Sequence, residues 1–245
     1  YLEFYGEKND GSFDTQLYAQ PDWQANPYQS MFSDTSHYYL VWDDVVAPAP
    51  KRYISTPNNT DIHPPAETYF RYTLTQVLKS IFSNGKPDRL GGTNNWFPNF
   101  DDGEGRADLT LASGNSKTYS FVTTAPKIGF PYTPADLRLR VIGLSNDAAY
   151  NPDHAFTVRV NNTTYLQEQF EGYDNTEYTA QVFATDIAND TTHVVVESTG
   201  GLGYLNQNTI PYLTLTYTRR FDFGNQRSFL FTLNNNAQKY LEIIN

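Results

Sequence analysis

The sequence contains no cysteine and a single methionine, Met31, among its 245 residues. The missing cysteines exclude disulfide bonds, thiolate metal sites and cysteine nucleophiles within this chain. Lysine and arginine are also scarce, 17 against 27 aspartates and glutamates, and the formal net charge is −10. Because nucleic-acid binding needs a basic surface that neutralises phosphates, nucleic acid is not an expected partner. No apolar run approaches the roughly 18 residues of a membrane helix, so membrane insertion is not expected.

Aromatic and β-branched residues are abundant instead, with 19 tyrosines and 16 phenylalanines. Such side chains pack well between pleated sheets. Together with many Thr and Asn residues, this composition is typical of extracellular bacterial β-sandwiches. We therefore expect an all-β protein.

Alternating apolar and polar residues predict a β-sandwich from residue 106 to 220. In AFTVRVN, Phe156, Val158 and Val160 share one face, while Thr157 and Arg159 share the other. Similar runs cover residues 117–122, 137–144, 179–184, 193–199 and 212–221. One buried face and one solvated face, repeated at this spacing, predict a jelly-roll sandwich of the galactose-binding-like kind.

The flanking regions are less regular. Residues 1–105 are predicted to form a smaller irregular β lobe, and 221–245 to form strands that return to it or lead to a further domain. The run HYYLVW, residues 37–42, predicts a buried strand, and residues 69–82 favour a strand over a helix. The chain begins directly in a strand-like run, so we expect it to be a piece of a longer protein.

Four stretches carry a resemblance to a known family. They are FYGEKNDGSFDTQLY near the start, NPYQSMFSDTSHYYLVWDD, the GEG of residues 103–105, and YLTLTYTRRF. In order along the chain, they resemble the region that precedes the peptidase domain in the gingipain-type C25 family, especially in type IX secretion sortases. The first stretch matches the family pattern N-x-G-x-x-D-x-x-L-Y at Asn9, Gly11, Asp14, Leu17 and Tyr18. The second matches D-T-x-x-Y-x-L-x-W at Asp34, Thr35, Tyr38, Leu40 and Trp42.

The sequence departs from the family where an aromatic residue often follows GEG, because Arg106 stands there. The resemblance implies a non-catalytic scaffold or protein-interaction region of a cell-surface cysteine peptidase or sortase. The catalytic Cys and His would lie in a peptidase domain beyond Asn245. The implied partners are that domain and other secretion or surface proteins. The implied location is the extracellular or outer-membrane surface.

An alternative from a different class is a glycan-binding jelly roll. Such domains bind sugars on aromatic platforms assisted by polar side chains. The candidate platform residues lie in predicted loops and are Trp96, Phe97, Tyr173 and Tyr204. In so aromatic a chain, most such residues are core or rim residues, so the scaffold interpretation is preferred.

No cofactor is expected, apart from a candidate structural calcium ion. Asp101, Asp102 and Glu104 lie within four residues beside two glycines, and calcium prefers such oxygen ligands. The spacing is not that of an EF-hand, and a solvated acidic turn is the simpler interpretation.

No catalytic site is predicted either. The four histidines have no zinc-like spacing, and no serine lies in a nucleophile-elbow setting. They are His37, His63, His154 and His193.

Overall fold

A computed structural model of the chain describes residues 6–39, 64–90, 93–95, 99–129, 133–200, 205–226, 229–233 and 239–244. The strand-like run at the start of the sequence, residues 1–6, lies almost wholly outside these ranges. Fifteen strands are described: β1 Ala66–Glu67, β2 Phe70–Val77, β3 Ile81–Asn84, β4 Asp88–Leu90, β5 Thr93–Asn95, β6 Glu104–Ala107, β7 Ser116–Thr123, β8 Ala135–Gly143, β9 His154–Val160, β10 Thr163–Phe170, β11 Asn175–Val182, β12 Asp190–Ser198, β13 Asn208–Thr209, β14 Tyr212–Arg219 and β15 Tyr240–Leu241. The helices described are short 3₁₀ helices at Ser12–Leu17, Pro21–Trp23 and Ala184–Asp186.

Eight of these strands form two packed antiparallel sheets with jelly-roll connectivity. One sheet has the order β10-β9-β12-β7, and the other has β11-β8-β14-β2. Numbered along the chain, the eight strands give the orders 5-4-7-2 and 6-3-8-1, which are those of two interleaved Greek keys. The predicted all-β jelly roll is therefore confirmed by the strand order itself.

The alternation of apolar and polar residues explains how the two sheets pack. In β9, Phe156, Val158 and Val160 are fully buried, while Thr157 and Arg159 are partly exposed. Equivalent inward residues of the other strands join them in one core between the sheets. Each buried aliphatic or aromatic side chain contributes about 1.5–3 kcal/mol relative to full exposure. This core forms the platform on which the remaining segments are placed.

The sandwich begins earlier than the sequence suggests. Strand β2 pairs with β14 along its whole length, from Phe70–Arg219 to Val77–Tyr212. Its predicted strand character is confirmed, but β2 lies within the stretch assigned to the irregular lobe. The alternation of residues also failed to predict β10. Its sequence TTYLQEQF alternates poorly, and a register shift interrupts its pairing with β9 between Thr164 and Leu166.

Smaller pairs of strands flank the sandwich. Strand β3 pairs with β6, and β4 pairs with β5. Within the predicted C-terminal strands, residues 229–233 are not in a strand, whereas β15 pairs in parallel with β1. An aromatic cluster joins this tail to the sandwich edge, and its buried members are Phe70, Phe221 and Phe223.

The N-terminal segment, residues 6–39, has little regular structure. The run at residues 37–42 does not form the predicted buried strand where it is described. Tyr38 and Tyr39 are 53% and 86% exposed and lie in no strand. Residues 40–42 lie outside the described part of the chain. Among the described residues, no helix has the length and apolar character needed to cross a membrane.

Candidate functional site

The predicted metal turn uses its carboxylates for internal contacts. Asp102 Oδ1 accepts a hydrogen bond of 2.9 Å from Asn175 Nδ2, and Glu104 Oε2 accepts one of 2.9 Å from the Asp101 backbone N–H. Burial raises the pKa of both Asp102 and Glu104. Within the described ranges, no three His, Cys, Asp or Glu side chains lie close enough to hold a metal ion. In this structure the carboxylates of Asp102 and Glu104 make internal contacts, and calcium binding at the turn stays a prediction.

The predicted sugar platform is only partly described. Trp96, Phe97 and Tyr204 lie outside the described residues, and Tyr173 is half-buried. On the strands, the aromatic residues Tyr165 and Tyr178 pack against the core. The outer face of the β10-β9-β12-β7 sheet instead presents polar or β-branched side chains: Thr118, Ser120, Val122, Thr157, Arg159, Gln167, Gln169, His193, Val195 and Glu197.

Two histidines occupy settings that spacing did not reveal. His193 Nδ1 lies 2.9 Å from Ser120 Oγ across a strand pair, but no carboxylate among the described residues hydrogen-bonds the histidine ring. His154 is fully buried, with its ring nitrogens 3.0 Å from Ser145 O and 3.2 Å from Asn206 Oδ1. His154 stands just before the run AFTVRVN, a place that favours an edge residue, but the structure buries it instead. Among the described residues, neither histidine forms a nucleophile–base–acid triad.

Exposed aromatic side chains concentrate instead on the N-terminal segment. Phe13, Phe32 and Tyr39 are 77%, 72% and 86% exposed, and Tyr38 is 53% exposed. We call these four residues the N-terminal aromatic face. Single exposed apolar residues are normal, whereas four large ones on one segment, with Phe13 and Tyr38 lining the same groove, make this segment a candidate interaction surface.

Buried polar contacts fix the backbone beneath this face. Asp14 is 5% exposed, and its carboxylate accepts hydrogen bonds from the Met31 backbone N–H and from Ser30 Oγ. Gln24 Nε2 donates to Gly11 O over 2.9 Å. An aspartate beside a glycine turn is expected to pin that turn, but Asp14 holds a loop seventeen residues further along the chain.

The segment is also anchored to the sandwich. Asn26 is 3% exposed, and its Nδ2 lies 2.8 Å from Pro211 O, 3.2 Å from Leu78 O and 3.4 Å from Arg106 O. Tyr18 OH donates to Glu104 O over 2.6 Å. Gly11, Asp14 and Tyr18, which belong to the first sequence motif, therefore fix the segment that bears the aromatic face.

Further anchors reach the end of the second sheet. Arg140 Nη1 donates to Asp22 O over 2.7 Å. Tyr28 packs edge-on against Tyr212, with ring centroids 5.0 Å apart. Burial and a hydrogen bond to Glu177 raise the pKa of Tyr212 to about 12, so its hydroxyl stays protonated at neutral pH.

Two surface grooves border the aromatic face. The first, of about 410 Å³, is lined by residues 7–10, Ser12, Phe13 and residues 35–38. The second, of about 460 Å³, is lined by residues 29–34, Lys79 and Arg106, and we call it the basic groove. Neither cation makes an ion pair among the described residues, although Asp34 also lines the groove. The Arg106 guanidinium carbon lies 5.8 Å from the centre of the Phe82 ring.

Comparisons with known proteins give weak likenesses. No protein-family model matches the chain, and no curated protein matches it. Dimeric latent PorU from Porphyromonas gingivalis is a structural neighbour, with a TM-score of 0.47 and 6% identity over 68% of this chain. The chain spans only 14% of that PorU chain.

Carbohydrate-binding modules are also structural neighbours. The CBM36-1 domain of a multidomain xylanase from the hindgut metagenome of Trinervitermes trinervoides has a TM-score of 0.34 and 14% identity, covering 59% of this chain and 96% of its own. A CBM36 in complex with calcium and xylotriose has a TM-score of 0.32 and 10% identity, covering 59% and 98%. These values assign no function to the chain.

Proposed function

We propose that the chain is a non-catalytic protein-interaction region of a longer C25-type surface peptidase or sortase. Its task would be to position the peptidase domain of the same polypeptide at the outer surface of the cell. The sequence motifs around Asn9–Tyr18 and Asp34–Trp42 suggest this family. The aromatic face gives the proposal its physical basis.

The observation that supports the proposal most is that exposed aromatic residues lie on a segment whose backbone is held by buried polar contacts. Four large aromatic side chains are exposed, yet the segment that bears them is pinned through the buried residues Asp14, Gln24 and Asn26. A rigid surface loses little conformational entropy on binding, and exposed aromatic residues provide the central anchors of protein interfaces. The polar outer sheet face described above offers no comparable aromatic platform for a glycan.

A binding experiment with separately produced domains tests the proposal. We expect residues 1–245 to bind the peptidase domain in biolayer interferometry. We expect Phe13→Ser combined with Tyr39→Ser to weaken that binding at least about tenfold, since aromatic anchors carry a large share of interface energy. Phe183→Ser is the matched control, because Phe183 is also 66% exposed but lies beside the sandwich helix Ala184–Asp186.

The glycan alternative gives a different result in the same series. Retention of the chain on xylan or another polysaccharide in affinity electrophoresis, together with no binding to the peptidase domain, would overturn the proposal. Equal weakening by the Phe183 control would also count against a specific aromatic face.

A further inference from the structure

Among the described residues, one edge of β3 is unpaired, and Arg106, opposite it on β6, lines the basic groove. An open edge presents backbone N–H and C=O groups that can pair with another extended chain. The edge is accessible, because Phe82 and Asn84 are exposed.

The side chains next to this edge have a definite chemistry. Phe82 lies directly opposite Arg106 in the strand register, so both side chains project from the same face of the pair. Lys79 precedes β3 and lines the groove together with Arg106. An exposed ring and two cations that form no ion pair with any described residue therefore lie close together, in a chain whose net charge is −10.

We infer that the β3 edge and the basic groove together bind an extended peptide segment in which acidic and apolar side chains alternate. This inference rests on the proposed function, since it names the chemistry of a protein partner. A strand added at the usual spacing of about 4.8 Å would place every second side chain on the face that bears Phe82 and Arg106. Arg106 stands on β6, one strand further from the edge, but its guanidinium lies over the Phe82 ring, so acidic side chains on that face would approach it across Phe82. Lys79 lies just before β3 and adds a second positive charge.

A peptide fits this surface better than an anionic glycan does. Both could place carboxylates against the cations, but a glycan has no alternating amide groups to pair with β3. The groove also contains Asp34, which would repel a uniformly anionic polymer more than a peptide with spaced charges. The peptide is therefore the ligand we argue for, and the glycan becomes an outcome of the test.

Fluorescence anisotropy with synthetic peptides tests the inference. The probe is fluorescein-labelled Gly-Asp-Phe-Asp-Phe-Asp-Gly, with a matched peptide carrying Lys in place of Asp. We expect the chain to bind the acidic peptide and the combined change Lys79→Glu and Arg106→Glu to weaken binding at least about tenfold, or 1.4 kcal/mol. The charge-reversed variant should prefer the Lys peptide. Arg220→Glu is the control, because Arg220 is exposed but does not line the groove.

A backbone-methylated acidic peptide separates edge pairing from simple charge attraction. Methylation of alternate amide nitrogens removes the donors that would face β3, so binding should fall at least about tenfold. Unchanged binding of the methylated peptide, or equal loss in the Arg220 control, would overturn the inference. Binding of sodium polygalacturonate but not of the peptide would also overturn it. If the peptide fails while the peptidase domain still binds through Phe13 and Tyr39, the inference is wrong and the proposed function stands.

Discussion

Asp102 and Glu104 show how the surroundings of a carboxylate decide its role. In the sequence they resemble half of a calcium site, with closely spaced acids between glycines. In the structure each carboxylate is partly buried and accepts a hydrogen bond from a neighbouring group. Burial raises the pKa of both, which means that the folded state holds their charged forms at a cost.

We predict that Asp102→Asn with Glu104→Gln raises the free energy of unfolding at pH 7.5. The folded pKa values lie above the unfolded ones. At neutral pH the folded wild type is therefore less stable than it would be with neutral groups at these two positions. This destabilisation disappears as the pH falls through the folded and then the unfolded pKa values, near pH 4. The gain should therefore shrink between pH 7.5 and pH 4 in urea titrations. The amide variants keep oxygen acceptors for Asn175 Nδ2 and the Asp101 N–H.

Asp108→Asn is a control for which we expect the opposite change in the free energy of unfolding. Burial acts to raise the pKa of Asp108, but hydrogen bonds from Lys117, the Leu109 N–H and Tyr119 outweigh it and lower that pKa. This variant should lose stability at neutral pH, and its loss should disappear below about pH 4. If calcium stabilised the wild type but not the Asp102 and Glu104 variant, our structural interpretation of the acidic turn would be contradicted.

At the scale of elements, the turn before the helix Ser12–Leu17 sets the path of the N-terminal segment. Gly11 has φ +88°, and a Cβ built there would lie 2.5 Å from the backbone carbon of Gln29. Real Cβ atoms do not approach backbone atoms so closely. The glycine permits both the left-handed conformation and the close approach of two chain segments.

We predict that Gly11→Ala destabilises the N-terminal segment by more than the 1–2 kcal/mol or so that the left-handed conformation alone costs. Limited proteolysis should cut residues 6–39 faster while the sandwich stays intact. Gly114→Ala is the matched control, because Gly114 has φ +74° but no atom within 4 Å of its built Cβ. Equal effects in the two variants would show that the contact with Gln29 is unimportant.

Local pattern predicted the sandwich well and the peripheral elements poorly. Strand β9 alternates cleanly because one of its faces is buried and the other solvated. The run at 37–42 is richer in aromatic residues, yet Tyr38 and Tyr39 are exposed, and no sheet in the described part of the chain covers them. Exposure of an aromatic residue depends on tertiary neighbours, which spacing along the chain does not encode. The sequence therefore did not predict the aromatic face, although it did show the motif from Asn9 to Tyr18 that supports it.

For the molecule as a whole, Asn26 joins the N-terminal segment to the sandwich. Its amide nitrogen faces the carbonyls of Leu78, Arg106 and Pro211, which come from three separate parts of the chain. Its Oδ1 accepts from the Tyr28 N–H over 3.1 Å. One buried side chain thus satisfies backbone groups on both sides of the junction.

We predict that Asn26→Ala lowers the free energy of unfolding by roughly 1–3 kcal/mol, because buried polar groups lose their partners. Binding through the aromatic face should weaken with it, as the segment loses its anchor. Asn9→Ala is the control: Asn9 is only partly buried, and its Oδ1 accepts from Gly11 N at 3.2 Å. Chemical denaturation measures the free energy of unfolding and interferometry the binding affinity. An Asn26 variant with both quantities unchanged would show that Asn26 does not anchor the segment.

The pairing of β2 with β14 has a consequence for the order in which the protein is made. Thr73 and Thr216, which hydrogen-bond across these strands, are 143 positions apart. Strand β14 lies between β2 and β8, so this sheet cannot assemble until the ribosome has synthesised residues up to Arg219. Contacts between such distant parts of a chain also form slowly. Strand β2 therefore stays without its β14 neighbour until synthesis has passed Arg219.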